Sequence, residues 1–134
     1  MIQQAIVSHL NADVTLSALI NGIWPGVIPQ GESAPGVVYT LEDDIRDRLL
    51  GGTEGSYNIA IIEFNCYALV YGDAIAIADA LQSALIDYRG QLGVTTPAVM
   101  ADHIRLDRRL PDEYESDTDY RRISLQLFIG YTVS

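Results

Sequence analysis

The stretch YNIAIIEFNCYALV, residues 57–70, decides the fold that we expect of this chain. Its β-branched and aromatic residues favour an extended strand. The odd-numbered face carries Glu63 and Asn65 and is half polar, whereas the even-numbered face is apolar throughout, with Ala60, Ile62, Phe64, Cys66 and Ala68. Because successive side chains of a strand point to opposite faces, we predict that the even face is buried and that the odd face meets solvent or a partner.

The next segment, residues 72–90, has the clearest helical pattern in the chain. Apolar residues recur at positions 74, 77, 78, 81, 85 and 88, the spacing of one face of an amphipathic helix. Asp73 is predicted as its N-cap and Gly90 as its C-terminal stop.

The remaining segments complete the order helix, strand, strand, helix, strand, strand. Residues 1–20 predict a helix, a break at 11–13 and a second helical turn, and the Pro- and Gly-rich residues 21–36 predict a loop anchored by Trp24 and Ile28. Strands are predicted at 37–45, 94–110 and 120–133, with Met100, Ile104 and Leu106 on one face of the second, and turn-like connections at 46–56 and 111–119.

Short connections between strands favour antiparallel pairing. We therefore predict a single domain spanning residues 1–134, an α+β two-layer sandwich with a mainly antiparallel four-stranded sheet and helices packed on one face. One core is expected to hold Ile62, Phe64, Leu81, Leu85, Leu125 and Leu127.

The charge balance excludes several classes of function. The formal net charge is −10, and all eight basic residues are arginines. A phosphate loop of the Walker type needs a lysine, so the glycine-rich GGTEGS at residues 51–56 is not one. An acidic protein repels nucleic-acid phosphate and anionic lipid, so neither DNA gripping nor membrane-surface binding is expected.

No pattern of catalytic residues emerges from the sequence. The two histidines, His9 and His103, lie far apart, and the carboxylates at 42–44 predict a solvated strand end. Cys66 is predicted to be a buried, inert thiol. We expect no enzymatic activity, no metal and no cofactor.

The arginines are more informative, because they flank the two predicted connections. Arginine forms bidentate ion pairs and is enriched at protein interfaces. The predicted subunit-interface residues are Arg46, Arg48, Arg108, Arg109, Arg121 and Arg122, which would meet acids of a neighbouring copy at Glu113, Glu115 and Asp117. Ordinary surface charge is the alternative.

A diffuse pattern covers about two-thirds of the chain. A Pro-Gln-Gly…Pro loop leads into a Val-Val-Tyr strand, and a strand ending in tyrosine precedes an Ala- and Leu-rich helix. The residues of this pattern are Pro29, Gln30, Gly31, Pro35, Val37, Val38 and Tyr39, then Phe64, Tyr67, Tyr71, Ala74, Ala78, Leu81 and Leu85. In this pattern the chain resembles the tail-completion (tail-terminator) proteins of long-tailed bacteriophages.

The resemblance implies a structural virion protein of the tail, assembled in the host cytoplasm. Such a protein forms a ring, a hexamer in that family, which caps the tail tube, ends its growth and presents a surface to the head. Its partners would be further copies of itself, the tail-tube protein and the head-connector protein, with DNA passing through the channel without specific binding. GGTEGS would then be a flexible tip between two strands. The alternatives are a head–tail connector or tail-tube subunit, and a small-ligand-binding α+β module.

Overall fold

A computed structural model describes residues 2–48, 54–95, 98–115 and 120–133. The elements in chain order are α1 (Ile2–Asn11), α2 (Val14–Ser17), β1 (Ile23–Pro25), β2 (Gly36–Arg48), β3 (Glu54–Ala68), α3 (Tyr71–Leu85), β4 (Gly90–Gln91), β5 (Val99–Glu115) and β6 (Tyr120–Val133). None of the helices in these ranges is long and apolar enough to cross a membrane.

The sheet differs from the predicted one. Its six strands lie in the order β1-β2-β3-β6-β5-β4, and β1 runs parallel to β2 whereas the other pairs are antiparallel. The predicted two-layer α+β sandwich, with a four-stranded antiparallel sheet and helices packed on one face, is therefore wrong. The chain is mostly strand, and its mixed sheet curls into a half-barrel with few helices.

The two additional strands were not visible in the sequence for a simple reason. β1 lies inside the Pro- and Gly-rich segment predicted as a loop, where Trp24 pairs with Val38. β4 has only two residues, which is too short for any periodicity. Tertiary pairing overrode local propensity in both cases.

The predicted connections are also shorter than expected. β2 continues to Arg48, β3 begins at Glu54 and β5 continues to Glu115, so residues 46–48, 54–56 and 111–115 are strand rather than turn. The rest of the two predicted connections, including the tip of GGTEGS, lies outside the described residues.

The core lies against the face of β3 that the sequence predicted. Ala60, Ile62, Phe64 and Cys66 are fully buried, and α3 packs against β3 and β6. The six residues expected to share one core all belong to the same buried cluster, and this prediction is confirmed: Ile62, Phe64, Leu81, Leu85, Leu125 and Leu127.

Register shifts between β5 and β6 contribute to the curl of the sheet and explain why the predicted face of Met100 is wrong. The β5–β6 register shifts between Ala101 and His103, so Ala101 and Ile104 are both buried although they lie three positions apart. Met100 is 39% exposed and does not share the face of Ile104, contrary to the prediction. A bulge changes the phase of the alternation and increases the local twist, and further shifts occur at Leu106/Arg108 and Leu110/Glu113.

The helices follow their patterns except at the ends of α3. Asp13 caps α2 by accepting a hydrogen bond from the Leu16 N–H at 2.9 Å, as the predicted break requires. Val70 rather than Asp73 is the N-cap of α3, and the helix ends at Leu85, well before Gly90. Tyr88 leaves the helix and packs on His9, with ring centroids 4.3 Å apart.

The Cys66 thiol allows a direct test of this burial. Desolvation raises its pKa from 9.0 to about 12, although the positive charge of Arg109 opposes part of the rise. The thiolate is the reactive form, so we expect iodoacetamide near pH 8 to label the protein only after unfolding in urea. Fast labelling of the native protein, measured by mass spectrometry, would contradict the facing of β3.

The raised pKa of Cys66 also predicts how the free energy of unfolding depends on pH. The folded protein holds this proton more tightly than the unfolded chain does. The contribution of the thiol to the free energy of unfolding is therefore complete below pH 9.0 and is lost as the pH rises toward about 12.

Candidate interaction surface

The face of the sheet opposite the core, here called the outer face, carries two cross-strand rows. The first consists of Thr40, Glu63, Gln126 and Arg108 on β2, β3, β6 and β5, and the second consists of Asp43, Ile61, Phe128 and Arg105 on the same strands. Directly opposite residues of antiparallel strands share a face, so each row runs from β2 to β5.

Both arginines in these rows are held by a side chain from β6. The guanidinium carbon of Arg105 lies 4.8 Å from the ring centroid of Phe128, within the range of a cation–π contact. The Nε–H of Arg108 donates to Oε1 of Gln126 at 2.9 Å. Within the described ranges neither guanidinium forms an ion pair, so both positive charges are positioned but not neutralised there.

The two outer-face rows carry opposite charges toward their two ends. Asp43 is exposed on β2 and Glu63 is half-buried on β3, whereas Arg105 and Arg108 are exposed on β5. The half-buried Ile61 and Phe128 lie between Asp43 and Arg105. The extra residue of each bulge, Glu42 on β2 and Asp107 on β5, is also exposed. In the two rows the acids thus lie on β2 and β3, and the arginines lie on β5.

The end of the outer face near the start of β6 is closed by the chain itself. Val38, Asn65 and Ser124 are buried there, and the Ser124 hydroxyl donates to Oδ1 of Asn65 at 2.5 Å. The Ala34 N–H donates to the Tyr120 hydroxyl at 3.3 Å. The two charged rows lie toward the opposite end of this face, where Asp43, Arg105 and Arg108 are exposed.

Long stretches of backbone at both sides of the sheet lack a strand partner in the described part of the chain. β1 pairs with residues 37–39 of β2, and no strand of the described residues lies beside the rest of β2 on that side. β4 pairs only with Met100 and Ala101 of β5. The Asp87 N–H donates to the Ile104 carbonyl at 3.1 Å, and beyond it residues 105–115 have no strand neighbour on that side. Such open edges are templates for pairing with another chain.

The predicted interface arginines fall on different surfaces. Arg108 points to the outer face, but the neighbouring Arg109 turns to α3, where its Nη1 donates to Oδ1 of Asp79 at 2.9 Å and to Oε1 of Gln82. Arg46 and Arg48 lie on β2, opposite Asn58 and Glu54 in register. Their role between subunits stays a prediction.

The remaining predicted residues lie at the β5–β6 end of the sheet. Arg121 and Arg122 are half-buried at the start of β6. The register sets Glu113 opposite Arg122, and Glu115 opposite Tyr120, within one chain, and Asp117 lies outside the described residues. The sequence reasoning missed Arg105 and Phe128, which are far apart along the chain and meet only through the pairing of β5 with β6.

Groups with possible chemical roles are dispersed. His9 Nε2 lies 3.0 Å from the Ala84 carbonyl oxygen, and Nδ1 of His103 is 3.8 Å from Oδ2 of Asp102 on the exposed surface. In the described ranges, no three histidine, cysteine or acidic residues gather as metal ligands. A surface groove beside α1 is lined by Gln4, Val7, Ser8, Asn11 and Tyr39, none of which is a charged side chain. That the protein is not an enzyme stays a prediction.

The fold resembles that of a virion chain. One similar structure is a chain in the virion of a native gene transfer agent particle, with a TM-score of 0.62, 21% sequence identity, and coverage of 97% of this chain and 93% of that one. At this identity the likeness shows the fold over almost the whole of both chains. Comparison with protein-family models gave no match, and comparison with curated proteins gave none either.

Proposed function

We propose that this protein is a structural component of a phage-like virion, the subunit of a ring that caps the tail tube, ends its growth and forms the surface that joins the head. The fold that it shares with a chain of a gene transfer agent virion supports the coarser part, a structural virion protein. The tail-terminator resemblance of residues such as Pro29, Tyr39 and Tyr71 supports the finer part.

The observation that supports a ring is that the two sides of the sheet differ, with β1 and β2 on one side and β5 and β4 on the other. In the two outer-face rows the acids lie on β2 and β3, and the arginines lie on β5. A contact between two different surfaces of the same chain is heterologous, and it closes into a ring when the rotation between neighbours closes. The expected number of six subunits in the ring comes from the tail-terminator resemblance alone.

The net charge fits such a ring around a DNA channel. Each copy carries a formal charge of −10, so a ring of copies is strongly acidic even after its arginines are paired. An acidic channel lets DNA pass without adhering, because the protein field and the phosphates repel each other.

The partners of the ring are then the last tail-tube subunits on one face and the head connector on the other. A tail-tube subunit is the nearest alternative, since it also forms rings. The small-ligand-binding module is less well supported, because ligand sites are mostly concave pockets that enclose the ligand, and the grooves beside α1 and between α2 and α3 are both open to solvent.

The test is to add the purified chain to tail tubes growing from the cognate tube protein, with bovine serum albumin as the control addition. We expect tube growth to stop and a single layer of the protein to appear at one tube end by electron microscopy. Incorporation along the whole tube would favour the tube subunit, and unchanged growth with bare ends would overturn the proposal.

A further inference from the structure

We propose that the junction between β3 and α3 is a docking surface for a second copy of this chain, and that its occupant is the segment Leu-Leu-Gly-Gly-Thr, residues 49–53, of that copy. The docking surface consists of Leu69, Val70 and Tyr71 and is here called the apolar junction. The contact deepens the ring proposed above and rests on it for closure, but the contact itself can be tested without it.

Three consecutive large apolar side chains are exposed at the apolar junction. Leu69, Val70 and Tyr71 are 61%, 59% and 46% exposed. The other exposed large apolar residues of the described ranges do not adjoin one another along the chain. A single exposed apolar residue is ordinary on a protein surface, whereas a contiguous group is typical of an interaction site.

The backbone of the apolar junction is held in place on both sides. Ala68 before it and Ala74 after it are buried. The Val70 carbonyl accepts hydrogen bonds from the N–H groups of Asp73 and Ala74, both at 3.1 Å, and this residue is the N-cap of α3. A surface that is already ordered loses little conformational entropy when a partner binds.

At the opposite end of β3, the β2–β3 hairpin extends past the rest of the sheet as an arm. β6 pairs with β3 only as far as Tyr57, opposite Thr132, and β6 ends at Val133. β2 and β3 continue to pair up to Arg48, opposite Glu54. No other strand of the described residues lies beside this last part of the hairpin. A two-stranded hairpin alone is only marginally stable in water, so the arm gains stability from a surface on which to pack.

The segment that joins the two strands of the arm matches the apolar junction in chemical character. Residues 49–53 begin with two leucines and contain no charged residue, and residues 69–71 contain none either. Removal of apolar surface from water on both partners favours the contact. The contact also buries no charged side chain of either segment, so no charge desolvation opposes it.

The length of β3 makes this contact intermolecular. β3 has 15 residues, which correspond to about 45 Å of strand. Five residues that leave Arg48 and return to Glu54 span at most about 17 Å when fully extended, so they do not reach the apolar junction of their own chain. The arm of one copy therefore meets the apolar junction of another. This is a heterologous contact, which forms a ring when the rotation between neighbours closes.

Cross-linking tests the contact directly. Leu50→Cys protein is mixed with Leu69→Cys protein and treated with a short bis-maleimide, both free in solution and bound to tube ends, in a background where the only native thiol, Cys66, is buried. We expect a cross-linked dimer from the mixture and a ladder of oligomers from the double variant. The matched control replaces Leu69→Cys by Val94→Cys, at an isolated residue that is 88% exposed, and should give no specific product.

Complementation of two variants supplies an independent readout. Val70→Asp alters only the apolar junction, and Leu49→Asp combined with Leu50→Asp alters only the arm. Each variant alone should be monomeric in sedimentation velocity at concentrations where the parent forms oligomers. Their mixture should form dimers and nothing larger, because each pair of unlike subunits can make one intact contact.

The folding of the Val70→Asp variant is expected to be intact. Val70 is the N-cap of α3 and makes no side-chain capping bond, and aspartate is a preferred N-cap residue, so its thermal melt should not fall below that of the parent. Val94→Asp is the matched control and should form oligomers as the parent does. Absence of the cross-linked dimer in both settings, or oligomers of Val70→Asp equal to those of the parent, would overturn the contact.

The outcomes separate this contact from the proposed function. Tube capping without the cross-link between positions 50 and 69 would leave the proposed function standing and exclude the contact. The cross-link without any effect on tube growth would support the contact and remove the capping function.

Discussion

Phe64→Ala is expected to lower the free energy of unfolding by about 3–5 kcal/mol, the usual range for a buried aromatic residue. Phe64 is fully buried in the middle of β3, opposite Tyr39 on β2 and Leu125 on β6. Removal of the ring leaves a cavity in the core, where β3 lies between β2 and β6. Urea denaturation followed by circular dichroism measures the change.

The matched control for this variant is Phe128→Ala. Phe128 is the other phenylalanine of the chain, and it lies half-buried on the outer face beneath Arg105. Less apolar surface returns to water there, so the loss should be clearly smaller. Equal losses from the two variants would mean that the assignment of core and outer faces is wrong.

Gly36→Ala is expected to destabilise the protein by about 1–3 kcal/mol, the range for an overpacked site. Gly36 is buried at the start of β2. A methyl group there would overlap the Trp24 indole and lie 3.2 Å from the Gly22 carbonyl oxygen. Trp24 is held in place by the pairing of β1 with β2, so the indole has little freedom to move away.

Gly72→Ala is the control with the same chemical change. Gly72 lies in the first turn of α3, and a methyl group added there meets nothing within 4 Å. Alanine is favoured over glycine in a helix by up to about 1 kcal/mol, so this variant should be slightly more stable than the parent. If Gly36→Ala were as stable as Gly72→Ala in thermal melts, the packing of Trp24 over β2 would be wrong.

Where the apolar residues repeat with a single clear period, the sequence was sufficient to predict which face of the element is buried. The alternation in residues 57–70 correctly identified the buried face of β3, and the repeat at positions 74–85 identified the core face of α3. These signals are local, because burial of one face imposes a period of 2 on a strand and of 3.6 on a helix. The break at Asp13 was predictable for the same reason, since its cap involves a residue three positions away.

The candidate interface was only partly predictable. The arginine pairs on the two sides of residues 111–119 suggested an interaction surface, and Arg108 does lie on the open outer face. Arg108 and Arg109 point to opposite faces because successive side chains of a strand alternate. The register shift between Leu106 and Arg108 decides that Arg108 is the one that faces outward, and no residue pattern in β5 predicts that bulge. Arg105 escaped notice because its partner, Phe128, is 23 positions away and becomes a neighbour only through the β5–β6 pairing.

By itself, then, the sequence determined the type and the buried face of β3 and α3, the long elements with a strong apolar pattern. It also determined the acidic net charge and the fact that every basic residue is an arginine. Tertiary structure alone decided the number of strands, the parallel β1–β2 pair, the curl of the sheet and the position of its open edges. The physical reason is that strand pairing and register are contacts between distant residues. A short strand such as β1 or β4 is stabilised by the neighbour beside it, and its own residues carry too weak a preference to reveal it.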